Sequence, residues 1–132
     1  ARVVAAALAP LAAGRTAAQA ADAAGADPLM AEARAWIERR LSARLRVRTV
    51  AAAVGLSPSR FVHRFAAACG TPFGPYLRRR LMEDAARRLA AGGQAVGAVA
   101  DVLGFASHTR FSEAFRRHHR CTPSAFRARL GA

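Results

Sequence analysis

Val50-Ala51-Ala52-Ala53-Val54-Gly55-Leu56 and Val99-Ala100-Asp101-Val102-Leu103-Gly104-Phe105 are two versions of one heptapeptide, 49 positions apart. The likeness extends outward from both. Phe61 and Phe65 return as Phe111 and Phe115, Tyr76 as Phe126 and Pro72 as Pro123, at offsets of 50 or 51. Slips of one residue fall in turns, where insertions are tolerated. Scattered alanine matches arise by chance; an ordered series of Gly, two Phe, Pro and an aromatic does not. Each copy reads as helix, turn, helix. Val50 and Val54, or Val99 and Leu103, lie one turn apart and face inward. Ala51 or Ala100 is small enough for two helices to cross closely there. Gly55 or Gly104 ends the first helix in the left-handed conformation that only glycine adopts at little cost. Leu56 or Phe105 then fills the angle. Ser57-Pro58 and Ser107 restart the chain, serine acting as N-cap. The second helix buries its phenylalanine pair at i and i+4, so its other face is free to enter a major groove.

Between the copies, a helix is predicted from Pro72 to about Ala91. Leu77, Leu81, Ala85 and Leu89 recur at four-residue steps, with Arg78, Arg79, Arg80, Arg87 and Arg88 elsewhere. Roughly 20 residues at about 1.5 Å each make a rod near 30 Å, against about 34 Å for one turn of B-DNA. Such a rod suits two recognition helices lying in successive major-groove segments, on an asymmetric site read without dimerisation. Ahead of the first copy, Asp27-Pro28 marks a helix start, with Asp as N-cap and Pro at the first helical position. Leu29, Ala33, Trp36, Ile37 and Leu41 share one face of that helix. No segment alternates with period two. The expected fold is therefore all-α: two helix-turn-helix subdomains (28–71 and 93–132) joined by a long linker helix (72–92), about seven helices in all. Residues 1–27, Ala-rich and superficially like a secretory signal, read as a linker or the tail of a missing upstream domain. The start at Ala1 fits a fragment or a processed product.

Composition narrows the function. The chain has 132 residues, 21 of them basic against 8 acidic, for a formal net charge of +13. Every basic residue is arginine, and 36 positions are alanine. GC-rich coding explains arginine in place of lysine, but not the excess of bases over acids, because Asp and Glu are also encodable. The charge is also localised. Arg2, Arg15, Asp22 and Asp27 cancel, so residues 28–132 carry all of it. A field of that size attracts polyanions, nucleic acid foremost. A hydrophobic fraction of 53% excludes a disordered basic tail. Charges interrupt each apolar run before it reaches membrane-span length. Cys69 and Cys121 are too few for a disulfide framework and fit no zinc spacing; they read as small packing residues. His118 and His119, about 100° apart on a helix, do not make a metal pair. With no paired carboxylates, no nucleophile–base pair and no phosphate loop, the sequence reads as no enzyme, with no cofactor and no metal.

From about Leu29 to Arg129 the chain resembles the DNA-binding domain of AraC/XylS-type bacterial transcription regulators. The most specific stretches run from Ala52 to Phe61, through Arg64-Phe65 and Gly70-Thr71-Pro72, to Tyr76-Leu77-Arg78-Arg79-Arg80-Leu81. The second copy adds Val99-Ala100, Gly104-Phe105, Phe111, Ala114-Phe115-Arg116 and Thr122-Pro123-Ser124-Ala125-Phe126-Arg127. The resemblance implies sequence-specific binding to double-stranded promoter DNA and, usually, activation through RNA polymerase. It implies a bacterial cytoplasmic, nucleoid-associated protein, with this fragment monomeric and any dimerisation supplied by residues outside it. One position departs from the pattern. Arg120 stands where the family usually places glycine and the first copy has Gly70. If that turn needs positive φ, arginine costs roughly 1 kcal/mol there; otherwise the turn differs, or Arg120 meets a phosphate.

With the phenylalanines turned inward, the outward positions near the start of the first recognition helix are Ser59, Val62 and His63, which also align with the family's base-contacting positions. Val62 suits a thymine methyl, and His63 a guanine or a phosphate. In the second copy the base-reading candidates are His108, Thr109, Ser112 and Glu113. Glu113 either accepts from a cytosine amine or orients Arg116 or Arg117. Candidate phosphate contacts are Arg60, Arg64, Arg110, Arg116 and Arg117, with Ser57 and Ser107 at the helix N-termini. Arg39, Arg40, Arg87 and Arg88 read as solvated helix faces. Two other functions fit the same charge: a non-specific nucleoid-type DNA binder, and a helical protein-interaction module.

Overall fold

A computed structural model describes residues 27–131. The expectations for residues 1–27 lie, Asp27 apart, outside them. The described residues form seven α-helices and no strand. These are α1 (Pro28–Arg39), α2 (Val47–Ala53), α3 (Pro58–Cys69), α4 (Phe73–Ala91), α5 (Val96–Val102), α6 (His108–His119) and α7 (Pro123–Gly131). They fall into two compact units. One comprises the described residues up to Arg40 together with Leu45–Phe73; the other comprises Leu41–Arg44 and the chain from Gly74 onward.

In the first unit, Asp27 caps α1 by accepting from the Leu29 N–H at 3.1 Å, and Pro28 occupies the first turn. Met30, Ala33 and Ile37 are the residues of α1 that are buried. Ala33 and Ile37 belong to the expected stripe, Met30 joins them, and Leu29 and Trp36 are half-buried. Leu41 lies beyond the end of α1 and belongs to the second unit, so it does not continue that face. Val50 and Ala51 of α2 are fully buried. Phe61 and Phe65 of α3 are also fully buried and close on Phe73, with ring centroids 5.8 and 5.7 Å from it at steep angles. Edge-on packing of this kind adds roughly 0.5–1.5 kcal/mol per pair to the burial itself.

The second unit is built in the same way. Val99, Ala100 and Leu103 are buried, and Phe111 and Phe115 are fully so. Phe126 stands edge-on to Phe115 at 5.4 Å. Tyr76, Leu77, Leu81, Met82, Ala85 and Leu89 of α4 are buried too. Leu41–Arg44 is tied in by the Ala43 N–H, which donates to the Leu103 carbonyl at 2.8 Å.

Both helix-turn-helix corners carry the same hydrogen bonds. Gly55 (φ 76°) donates to Ala52 and Leu56 to Ala51; Gly104 (φ 80°) donates to Asp101 and Phe105 to Ala100. Each corner is a Schellman closure, which satisfies carbonyls the helix end would otherwise leave open. Across each turn a serine hydroxyl caps the following helix: Ser57 accepts from Arg60 N at 3.2 Å and Ser107 from Arg110 N at 3.0 Å.

Candidate nucleic-acid interface

α3 exposes Ser59, Arg60, Val62 and His63 on the face opposite its two buried phenylalanines. Val62 is 43% exposed. His63 has a defined tautomer. Its Nδ1 lies 2.9 Å from the Ser59 carbonyl, which can only accept, so Nδ1 carries the proton. In the neutral ring Nε2 then points away as an acceptor.

Arg64 differs from the other candidate phosphate contacts. Its Nε and terminal nitrogen donate to the two carboxylate oxygens of Asp27 at 2.6 and 2.5 Å. Burial tends to raise the Asp27 pKa, but the hydrogen bond and charge of Arg64, with the Leu29 and Met30 N–H groups, outweigh it and hold the carboxyl below its usual value. The same bond raises the Arg64 pKa. This guanidinium ties α3 to the start of α1. Sequence gives no local signal for a pair 37 residues apart.

In the second unit, α6 exposes Thr109, Arg110, Glu113, Arg116 and Arg117, with Ser112 half-buried. His108 turns back along α5. Its Nε2 lies 3.2 Å from Asp101 Oδ1, and its ring covers Gly97 so closely that a Cβ there would collide with it. Glu113 makes no ion pair with Arg116 or Arg117, so the orienting role expected for it is not observed. Instead it lines, with Arg116, Arg117 and Arg120, an open concavity of about 560 Å³. Arg120 has φ 66° and ψ 20°, the left-handed conformation that the glycine pattern requires.

Other charged groups serve the fold. Arg87 and Arg88, expected on a solvated face, both bond the carboxylate of Asp84, which is only 6% exposed. Arg40 stacks over the Trp36 ring, with Cζ 4.4 Å from the centroid. His119 donates from Nε2 to the Met82 carbonyl and lies against Phe115. Partial burial, His119 and Arg79 lower the His118 pKa against the pull of Glu83. Cys69 and Cys121 are half-buried thiols outside any disulfide. Among the described residues no three His, Cys, Asp or Glu side chains are grouped to hold a metal ion, and no helix is long and apolar enough to cross a membrane.

Residues 50–129 match a family of helix-turn-helix domains. The solved structure of an AraC-type DNA-binding-domain regulator from Chromobacterium violaceum superimposes with a TM-score of 0.71 at 26% identity, covering 81% of this chain and 96% of that one. The chain belongs to the AraC/XylS family. Two further comparisons bear on it. The regulatory protein PocR of Salmonella typhimurium is 32% identical over 104 residues, which are 79% of this chain and 34% of PocR. The chain thus spans about a third of PocR's length. The DNA-binding domain of AdpA, a global transcriptional factor solved in complex with a target DNA, has a TM-score of 0.70 at 31% identity, covering 75% of this chain and 89% of AdpA's. The AraC/XylS family and fold are those of DNA-binding transcription regulators rather than of enzymes.

Proposed function

We propose that the chain binds promoter DNA sequence-specifically, placing α3 and α6 in successive major-groove segments, and activates transcription through RNA polymerase in the bacterial cytoplasm. One observation carries the proposal: both recognition helices pair a serine-capped N-terminus and an outward polar face with a fully buried phenylalanine pair, in a chain of net charge +13. Ser59, Val62 and His63 read one half of the site; Thr109, Ser112 and Glu113 read the other. Of the exposed arginines, Arg60 and Arg110 lie beside the helix starts and Arg116 and Arg117 near the end of α6, where phosphates flank a groove-bound helix. Arg64, engaged by Asp27, sets the position of α3. His108, turned onto α5, braces the second pair of helices. AdpA, bound to its target DNA, supplies the analogy.

Selection from a random-sequence duplex library tests the proposal. One enriched motif is expected, with affinity that falls steeply with salt because several phosphates are neutralised. Glu113→Ala should change the preferred base at one position, whereas Arg116→Ala should weaken every site alike. Equal affinity for selected and scrambled duplex at physiological salt would leave a non-specific DNA binder. No protected DNA at any salt would leave a protein-interaction module.

A further inference from the structure

We propose that Arg116, Arg117 and Arg120 form a phosphate clamp at the C-terminal end of α6, and that Arg120 keeps its strained backbone in order to complete it. The proposal rests on the DNA-binding function above and adds a residue and an asymmetry to it.

The two repeats supply the comparison. Gly70 and Arg120 end their recognition helices in the same way, at φ 73° and 66°, each donating its N–H four residues back, to Ala66 at 2.9 Å and to Arg116 at 2.8 Å. Glycine therefore suffices for this turn, and a side chain there is conformationally unfavourable. Arg120 is exposed and makes no ion pair among the described residues. It is also the only non-glycine residue at positive φ among them. Its neighbours differ between the copies in the same sense. Where the second copy has Arg116 and Arg117, the first has Ala66 and Ala67. Two repeats that fold alike thus differ by three arginines at one helix end.

Those arginines share one open concavity with a single carboxylate, Glu113, which pairs with none of them. Three positive charges against one negative leave an excess that a phosphodiester would neutralise, and strain retained at such a position points to function rather than stability. The helix dipole favours arginine at a C-terminal end, yet α3 has no basic residue in its last turn. A polynucleotide backbone is the partner that fits, because a fork of guanidinium donors matches phosphate oxygens.

The experiment uses the 132-residue chain and a fluorescein-labelled 30-base-pair duplex carrying the selected site, or a mixed sequence if none is enriched. Binding is titrated from 50 to 200 mM NaCl and thermal unfolding is followed in parallel. Arg120→Gly should lower affinity several-fold and reduce the slope of log K against log salt by about 0.9, one phosphate's worth, while the melting temperature stays level or rises. Arg120→Lys, which keeps the charge, should retain the original slope. Unchanged affinity and slope in Arg120→Gly, the slope lost equally in Arg120→Lys, or a lowered melting temperature in Arg120→Gly would each overturn the proposal. If the unsubstituted chain binds no duplex, the DNA-binding function itself fails, which is a separate result.

Discussion

Oδ1 of Asp27 caps α1, and the same oxygen together with Oδ2 clasps Arg64. Substituting alanine removes a helix cap, at about 1 kcal/mol, and the partner of a half-exposed arginine, which adds only a modest amount because that side chain is 41% exposed. Asp27→Ala should therefore lower unfolding stability by about 1–2 kcal/mol in urea titrations near neutral pH. Asp27→Asn keeps a capping oxygen and loses the charge, so it should cost less. The depressed carboxyl pKa also fixes a direction with pH. The folded chain holds this proton less tightly than the unfolded one, so the stabilisation is complete above the ordinary aspartate range near 4. It disappears as pH falls through the lower, folded value. Urea unfolding between pH 6 and pH 2 should show a shallower acid decline in Asp27→Asn than in the unsubstituted chain. An identical decline would mean that Arg64 does not set this carboxyl's affinity for protons.

At the scale of elements, the two corner glycines make a matched pair with unequal surroundings. Both have positive φ, so an alanine at either is strained by roughly 1 kcal/mol. A Cβ on Gly55 would meet nothing within 4 Å, but one on Gly104 would collide with the Ser42 hydroxyl and press on the Ala43 amide. Gly104→Ala should thus cost about 1–3 kcal/mol more than Gly55→Ala, the usual range for overpacking, read as the difference in unfolding free energy. Equal losses would show that Ser42 yields freely. The corners themselves were legible in the sequence because their geometry is local. A glycine, a plug residue and a serine cap, each within six residues, specify which N–H meets which carbonyl. The seven helices and the inward phenylalanines follow from the same short-range pattern. What escaped has long-range or near-degenerate causes. Met30 and Leu29 are neighbours 100° apart, and the stripe through Ala33 and Ile37 accommodates either until α2 and α3 pack against it. Leu41 satisfies the spacing of α1 but lies past the helix end. Arg87 and Arg88 look solvated until Asp84 is found buried beneath them. His108 occupies an outward register yet folds back, because Gly97 leaves a side-chain-free surface for its ring. Arg120 was flagged by its departure from glycine, although only the shared left-handed turn separated a strained backbone from a different one.

For the whole molecule, the prediction with the widest reach concerns how the two halves of the site divide the work. The charge term is sequence-blind, since the 21 arginines meet phosphates without reading bases. On the proposed function, sequence information comes from the few outward groups of α3 and α6. These belong to separate compact units, so substitutions in one should act independently of those in the other. Val62→Ala combined with His63→Ala removes a methyl contact and the outward Nε2 acceptor from the first unit. Ser112→Ala combined with Glu113→Ala removes a hydroxyl and a carboxylate from the second. Base contacts of this kind discriminate by about 1–3 kcal/mol each, enough to change an enriched motif at one or two positions without abolishing binding. Library selection with each double variant should alter one end of the motif and leave the other intact. The quadruple variant should keep the salt slope of the parent chain and lose preference at both ends. Were both double variants to disturb the same base pairs, one recognition helix would be reading alone, and the sequence repeat would have duplicated a fold without duplicating its contact with DNA.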